Sequence, residues 1–369
     1  PMAFQVSPGV LVQERDLTRI IPAVSTAIGA FAGSFNKGPL DEIVSISSEQ
    51  ELVDTFGKPD STNFEYFFSA ANFLQYSNSL RVVRATQTNA VNASTSGTGV
   101  LVKNTDDWLN NYASGGQAGN ADFVAREAGT DGNNLQVSTC PNAAAYEEEG
   151  ATTVNDASTA VGDTVVVTTS GAALNVGDII SFSTTAATND YDDGEQYRIT
   201  NISTNDITIV QHPRGTGGLK RALTDGSNIR RRWKYYDAVD GAPGTSAYVS
   251  ARNGANDEIH VVVVDEDGGI SGVPGTILET FSKLSKASDA KDPQGNDNYY
   301  PNVIYTKSQH IYWTKHNSSG SNWGNAASGT TFTAVNSPTL SSLSGGSNGS
   351  AVTTGQIKTA YDKFADSET

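Results

Sequence analysis

Three clusters of carboxylates are the residues whose spacing could most readily bind a cation. Asp265-Glu266-Asp267-Gly268-Gly269 is similar to the start of a calcium loop, but no glutamate stands at the twelfth position, where such a loop needs a bidentate ligand. We therefore expect this segment, and likewise Asp192-Asp193-Gly194-Glu195, to be a turn rimmed by solvated charges. Glu147-Glu148-Glu149 reads most simply as a solvated loop. The clusters predict no metal site.

Histidine, cysteine and glycine patterns also favour no known catalytic site. The histidines stand at positions 212, 260, 310 and 316, without the i, i+4 spacing of a zinc helix. Thr216-Gly217-Gly218 is not followed by the Lys-Ser/Thr pair of a phosphate-binding loop. The single cysteine, Cys140, excludes an internal disulfide and is expected to be a small buried apolar residue. We therefore predict that the chain is not an enzyme and holds no cofactor.

Arg230-Arg231-Arg232-Trp233-Lys234 is the one dense basic stretch of the sequence. Two interpretations stay open for it. It is either a solvated strand edge or a patch that forms ion pairs with an acidic neighbour.

Composition excludes two further classes of partner. The 369 residues carry 24 basic and 40 acidic side chains, a net charge of −16, so the surface lacks the positive charge that phosphate neutralisation in nucleic acids requires. No run of about 18 apolar residues is present, so no membrane-spanning helix is predicted. We expect neither nucleic acid nor membrane among the partners.

The elements that must position these residues begin with an α/β pattern. The period-two apolar residues of 1–20 predict an extended arm, which would be either an edge strand of its own domain or a strand donated to another subunit. Further along, the pattern predicts strands at 27–33, 43–46 and 80–85, a helix capped by Ser48 and ended by Gly57, and a helix over Phe64–Leu74. The apolar face of that second helix is predicted to carry Phe64, Phe67, Phe68, Ala71 and Leu74.

The rest of the chain is predicted to be richer in strands. Residues 87–100 have the composition of a linker, and residues 150–210 read as short strands of a small barrel or sandwich, entered twice through a Val-Gly-Asp turn. Strands are predicted at 135–137, 248–252, 259–265, 303–305 and 310–313, and a helix after Pro274 carrying Ile277, Leu278, Phe281 and Leu284. A last helix, capped by Thr353 to Gln356, has no strand after it on which to pack.

The N-terminal pattern resembles the contractile tail sheath proteins of myovirus-type bacteriophages. The resemblance is close over residues 5–86 and loose over residues 225–366. The segments that carry it, in the family's order and spacing, are Ser7–Glu14, Phe31–Gly33, Lys37–Pro39, Leu52–Pro59, Tyr66–Tyr76, Leu80–Ala85, Gly129–Val137, Gly244–Tyr248 and Leu343–Asp366. The family's long C-terminal portion is expected to be absent from this chain.

The resemblance implies an α+β multidomain fold, with an α/β inner sheath domain and inserted β-rich, barrel- or sandwich-like domains that protrude from it. The implied parts are the arm at 1–20, an incomplete inner domain at 21–87 and 341–369, a middle α/β domain at 88–149 and 223–340, and an inserted small β domain at 150–222. The inter-subunit arm would comprise Ser7, Pro8, Gly9, Val10, Leu11, Val12, Gln13 and Glu14.

The function that the resemblance implies is structural. Copies of the chain would polymerise as stacked hexameric rings around the tail tube and contract to drive the tube through the host envelope. The expected partners are other copies of itself, the tail tube protein, the baseplate and the tail terminator, in a virion tail assembled in the host cytoplasm. The alternative is a β-rich phage adhesin or receptor-binding protein, which the polar strands of 150–222 suggest.

Overall fold

A computed structural model describes residues 28–115 and 121–365 of the chain. The predicted arm at 1–20 therefore lies outside the described residues. Along the chain the strands are β1 (Gly29–Gly33), β2 (Ile43–Ile46), β3 (Leu80–Arg84), β4 (Asn92–Ser94), β5 (Phe123–Ala128), β6 (Leu135–Cys140), β7 (Glu147–Thr153), β8 (Val165–Val167), β9 (Ile179–Ala186), β10 (Tyr197–Ser203), β11 (Asp206–Gln211), β12 (Ser227–Arg232), β13 (Glu258–Asp265), β14 (Thr276–Ser285), β15 (Ile311–Trp313) and β16 (Thr339–Ser342). The helices are α1 (Glu49–Phe56), α2 (Phe64–Leu74), α3 (Thr105–Asn111), α4 (Ala143–Tyr146), α5 (Ala247–Ser250), α6 (Tyr300–Lys307) and α7 (Thr354–Asp362). This mixture of helices and separate sheets is an α+β fold.

The first unit is a three-stranded sheet between helices. Its order is β1-β3-β2, with β1 parallel and β2 antiparallel to the central strand. The helices α1 and α2 pack on one face through a cluster that includes Phe56, Phe67 and Val82. On the other face Ala360 of α7 packs with Ala32 and Val83. The expectation that the last helix lacks a packing partner in this chain is therefore wrong.

Local signals explain where α1 begins and ends. The Ser48 side chain accepts a hydrogen bond from the Glu51 amide, which satisfies one of the free donors at the helix start. Gly57 follows the helix with φ of +84°, a left-handed conformation that glycine adopts without steric cost. The predicted cap and stop of this helix are both confirmed.

The bounds predicted for α2 are confirmed, but its predicted buried face is wrong in part. Phe67, Ala70 and Ala71 are buried, whereas Phe64 and Phe68 are 46% and 50% exposed. The helix carries apolar residues on two sides, so the spacing of those residues alone could not select the side that meets the sheet.

The middle unit contains two small sheets around the largest core cluster. One is antiparallel with the order β14-β13-β6-β16, and the other has the order β15-β5-β4. The predicted linker at 87–100 contains β4, whose three residues are buried, so that part of the prediction is wrong. Residues 247–250 and 300–307, predicted in part as strands, are the helices α5 and α6.

The segment after Pro274 is the strand β14 and not the predicted helix. Its register against β13 shifts twice, because Val261 pairs with Phe281 while Ile259 pairs with Leu284, and a second shift follows further along. Each shift inserts one extra residue into β14, which is a β-bulge. Phe281 and Leu284 are therefore both buried at a spacing of three, a spacing that reads as helical in the sequence.

The third unit is a six-stranded sheet with the order β7-β12-β9-β10-β11-β8, in which every pair is antiparallel. Residues just beyond its two edge strands are joined by an isolated bridge between Val154 and Thr168. A single bridge does not make a closed barrel. The β content predicted for residues 150–210 is confirmed, and the sheet extends from Glu147 to Arg232.

The two Val-Gly-Asp turns of this unit share one geometry. In each, glycine has a positive φ, +95° at Gly162 and +97° at Gly177. The following aspartate accepts a hydrogen bond from the amide three residues earlier, at 2.6 Å for Asp163 and 2.7 Å for Asp178. The same local chemistry therefore opens both strands, as turn preferences predict.

Candidate interaction surfaces

The predicted inter-subunit arm, Ser7 to Glu14, lies outside the described residues. Its role stays a prediction. The described surface that such a strand could join is the sheet of the first unit. Within the described ranges β1 and β2 each pair with β3 alone, so each has one side without a neighbouring strand. Edge strands of this kind present free amide and carbonyl groups to an added strand.

The first unit also presents an apolar stripe along α2. We name as the α2 stripe the side chains of Phe64, Phe68 and Tyr76, which are 46%, 50% and 90% exposed. Phe64 and Phe68 stand one helical turn apart, and Tyr76 follows the helix end. Adjacent exposed aromatic residues, as Phe64 and Phe68 are, are typical of a surface that a partner covers.

A second candidate surface forms where three charged segments meet on the third unit. Arg230 and Arg232 both contact Asp193, and Arg232 also pairs with Glu147. The hydrogen bond from Arg230 holds the pKa of Asp193 below its ordinary value. The basic stretch is therefore not a solvated edge, because it pairs with carboxylates of its own chain. Glu147 to Glu149 belong to β7 and not to the predicted loop.

Arg231 is the buried centre of this cluster, with 1% of its surface exposed. Its Nη2 donates to the carbonyl oxygen of Ala144 at 2.7 Å, and its Nη1 donates to that of Ala145 at 3.2 Å. Nη2 also reaches the Asn336 carbonyl at 3.3 Å and Glu148 Oε2 at 3.0 Å. Because α4 and residue 336 lie outside the six-stranded sheet, Arg231 fastens that sheet to the middle unit.

A cleft of about 460 Å³ lies between the first and middle units. Lys37 and Asp54 line it from one side, and Glu127 and Asp131 from the other. The neighbouring Arg84 is fully buried and donates through Nη1 to the Gly38 carbonyl at 2.8 Å, while its Nε and Nη2 have no hydrogen-bond partner among residues 28–115 and 121–365. Burial lowers the pKa of Arg84 to about 10, and the charges of Glu127 and Asp131 oppose that shift. Arg84 is therefore charged at neutral pH, and its charge faces the carboxylates of Glu127 and Asp131.

The remaining residues that could do chemistry, Asp265, His260 and Cys140, are buried within the fold. Asp265 is buried, and its Oδ2 accepts hydrogen bonds from Ile270 N and from Ser271 N and Oγ, so its turn is not merely rimmed by solvated charge as predicted. His260 is buried against Trp233, and burial lowers the pKa of His260 to about 4. Cys140 is buried, as predicted, and burial raises the pKa of its thiol. Over residues 28–115 and 121–365, no group of three or more His, Cys, Asp or Glu side chains could hold a metal ion.

The expectation that the sequence lacks a nucleophile-elbow pattern, Gly-x-Ser-x-Gly, is wrong, because Gly345–Gly349 has this spacing. In the structure Ser347 forms an antiparallel bridge with Val91, and its Oγ accepts a hydrogen bond from the Gly349 amide at 3.1 Å. A nucleophile elbow needs a strand that turns directly into a helix, and α7 begins only at Thr354. The pattern is therefore a loop turn in this fold.

None of the helices in the described ranges is long and apolar enough to span a bilayer. Even α2 has 11 residues, against the roughly 20 that a spanning helix requires.

Comparison with known proteins gives matches at the N-terminal unit. Residues 26–85 match a family model described as the N-terminal region of domain III of the tail sheath protein Gp18. A tail sheath protein of Enterobacteria phage T4 is 45% identical over 80 residues, which are 22% of this chain and 12% of that protein. A tail sheath protein of Vibrio phage KVP40 is 39% identical over 79 residues, 21% of this chain and 12% of that protein. The predicted family resemblance is confirmed for this N-terminal portion.

The matched stretch is short in both proteins, since the chain spans about an eighth of the curated relatives it matches. A sheath tail protein from Listeria innocua, of known crystal structure, aligns over 55% of this chain and 34% of that chain. The identity is 12% and the TM-score 0.19. A TM-score this low supports no conclusion about the fold.

Proposed function

We propose that the chain is a structural subunit of a contractile phage tail sheath. The observation that carries the proposal is the match of residues 26–85 to tail sheath proteins, at 45% and 39% identity to two of them. This stretch contains the whole β1-β3-β2 sheet with α1 and α2. The matched sequence thus contains the whole sheet and both helices of one of its faces, which supports a shared structural role.

Assembly would use strand exchange between copies. The sheet of the matched unit has two sides open to further strands, and an isolated apolar arm needs a sheet on which to pair. Ser7 to Glu14 of one copy would add to this sheet in the next copy. A strand exchanged in this way would keep subunits tethered while their rigid bodies rotate.

We propose the following arrangement of these subunits in the phage tail. Copies would stack as hexameric rings around the tail tube, between the baseplate and the tail terminator, in a virion tail assembled in the host cytoplasm. Contraction would be a switch from a metastable lattice to a shorter and wider one, released by a trigger at the baseplate. We propose neither a catalytic activity nor a cofactor.

The third unit would lie on the outside of the tube, as an inserted domain. Its chain enters and leaves at one place, because the Val154 amide donates to the Ser227 carbonyl at 2.8 Å and the Gly226 amide donates to the Val154 carbonyl at 2.9 Å. An insertion with adjacent ends can be carried without a change in the unit that bears it.

Immunogold electron microscopy of phage particles tests the proposal. Antibodies raised against the purified chain should label the tail along its whole length, with loss of regular spacing after contraction. Labelling of fibre tips alone, together with trimers in solution and glycan binding, would establish the adhesin alternative and refute the sheath role. Antibodies against an unrelated capsid protein are the matched control.

A further inference from the structure

His260 lies opposite the first bulge of β14. Between two successive ladder pairs, β13 has one residue, His260, whereas β14 has two, Ser282 and Lys283. Lys283 has a φ of +52°, a left-handed conformation that is uncommon for a residue with a side chain. Because a bulge takes the extra residue out of the regular ladder, the backbone amide of Lys283 needs another acceptor.

The imidazole of His260 supplies that acceptor. Its Nδ1 accepts a hydrogen bond from the Lys283 amide at 2.9 Å, and its Nε2 lies 3.0 Å from the Gly241 carbonyl oxygen. A backbone amide can only donate and a carbonyl oxygen can only accept, so the two partners define the tautomer. The ring proton is therefore on Nε2, and Nδ1 carries the lone pair. The side chain is fully buried, so water cannot replace either partner.

The groups around His260 keep the imidazole neutral. Burial lowers the pKa of His260 to about 4, and the positive charge of Lys283 lowers it further. Trp233 stacks on the ring at a centroid distance of 6.2 Å, and Tyr146 of α4 meets it edge-on at 6.5 Å. On β6 the register partner is Cys140. Burial raises the pKa of Tyr146 and of Cys140, so neither supplies a negative charge at neutral pH.

The loop before β13 is held by the same side of that strand. Glu258 stands two residues from His260, a spacing that places both side chains on one face. Its carboxylate accepts a hydrogen bond from the Gly244 amide at 2.8 Å, while His260 binds the loop at Gly241. Burial raises the pKa of Glu258, and the charge of Lys283 opposes that rise. His260 thus joins the loop to β14.

We propose that His260 is a proton-sensitive clamp, which in its neutral form holds the first bulge of β14 and the loop at Gly241. A proton on Nδ1 takes up the lone pair that the Lys283 amide uses, so two donors then face each other. That amide is left buried without an acceptor, and a second positive charge is placed near the Lys283 side chain. Acid therefore releases the Lys283 segment of β14, the edge strand among the described strands of its sheet. The clamp acts within one chain and is independent of any role in a sheath.

NMR of the uniformly ¹⁵N-labelled full chain tests the clamp directly. Long-range spectra of the histidine rings at neutral pH should show the His260 proton on Nε2 and an unprotonated Nδ1. On acidification the Lys283 amide signal should shift together with the His260 ring, with a common midpoint near pH 4. A proton on Nδ1 at neutral pH, or an amide signal that stays in place while the ring titrates, would overturn the proposal.

Hydrogen exchange of the amides at 276–285 measures the release. An exposed imidazole has a pKa of 6.5 and the buried one a pKa of about 4, so acid favours every opening that exposes His260. We expect such openings to become about 100-fold more frequent between about pH 7.5 and about pH 4. The exchange rates of β14, corrected for the intrinsic effect of pH, should rise by that factor.

The variant His260→Asn separates the hydrogen bond from the titration. The asparagine side-chain oxygen can accept from the Lys283 amide as Nδ1 does, but the amide group does not titrate. Its corrected exchange rates in β14 should change by less than about threefold over the same pH range. His316→Gln removes the other histidine whose pKa burial lowers to about 4, and it should keep the wild-type response. A response that survives in His260→Asn, or that disappears in His316→Gln, would show that β14 responds to another group. The NMR titration of the wild-type chain decides the question even if His260→Asn does not fold.

Discussion

Replacement of Arg231 by methionine should loosen the third unit from the middle unit. The substitution keeps an apolar side chain of similar length but removes the donors to the carbonyl oxygens of Ala144, Ala145 and Asn336. Each buried acceptor left without a donor costs about 1–3 kcal/mol. Because the three carbonyls share one guanidinium and methionine keeps part of the packing, we expect a total loss near the lower end of their sum, about 3–5 kcal/mol.

The partner variant Glu148→Gln separates the ion pair from the carbonyl contacts. The Glu148 side chain is 43% exposed, so solvent screens its attraction to Arg231 and its removal should cost less than about 1 kcal/mol. Arg198→Met, at an exposed position of β10 in the same sheet, is the control for loss of charge.

Urea denaturation followed by tryptophan fluorescence measures the effect. Trp233, one of the four tryptophans, lies two residues from Arg231, is buried, and donates through Nε1 to Ser138 Oγ at 2.8 Å, so part of the emission comes from this junction. Equal losses of unfolding free energy in Glu148→Gln and Arg231→Met would contradict the role of the carbonyl contacts. A difference of less than about 1 kcal/mol between Arg231→Met and Arg198→Met would contradict it as well.

The buried Lys286, the inserted segment 155–226 and the turn at Gly38 can each be tested separately. Burial lowers the pKa of Lys286 from 10.5 to about 8, so between these pH values the unfolded chain binds more protons than the folded chain. The free energy of unfolding should therefore rise by about 3 kcal/mol from pH 8 to pH 10.5. Denaturation at several pH values should show this rise in the wild type and not in Lys286→Met. Replacement of residues 155–226 by Asn-Gly should leave the other two units folded, because the flanking residues Val154 and Ser227 are hydrogen-bonded to each other. Circular dichroism and sedimentation measure this, and loss of the soluble monomer would contradict the prediction. Gly38→Ala should destabilise the chain by at least about 1 kcal/mol more than Gly215→Ala. Both glycines have positive φ, but only at Gly38 would the new Cβ lie 2.9 Å from Phe56 and from the Thr55 carbonyl. Thermal unfolding of the two variants measures the difference.

Short-range signals explain why the first unit could be read from its sequence. Ser48, Gly57 and the bounds of α2 depend on residues within four positions of each other, where capping and turn chemistry operate. The family resemblance also lay there, and the comparison confirmed it for residues 26–85. The role of Ser7 to Glu14 stays a prediction, because those residues lie outside the described ranges.

Contacts between residues distant in the sequence explain the two elements that local patterns predicted wrongly. Residues 276–285 have helical spacing, yet they form a strand because β13 offers hydrogen bonds and because two bulges place Phe281 and Leu284 on one side. The apolar residues of α2 were correctly identified, but the sheet selected the side that holds Ala70 over the side that holds Phe64.

The basic stretch at 230–234 shows most clearly what local sequence reveals and what depends on long-range pairing. Three arginines in a row, and carboxylates at 147–149 and 192–195, are visible in the sequence alone. The pairing of β7 with β12 is a property of the folded chain, and it places Glu147 and Glu148 opposite Arg232 and Arg231. Burial then makes Arg231 a structural anchor, because a charge removed from water must find its partners within the protein, and those partners are up to 105 residues away in the chain.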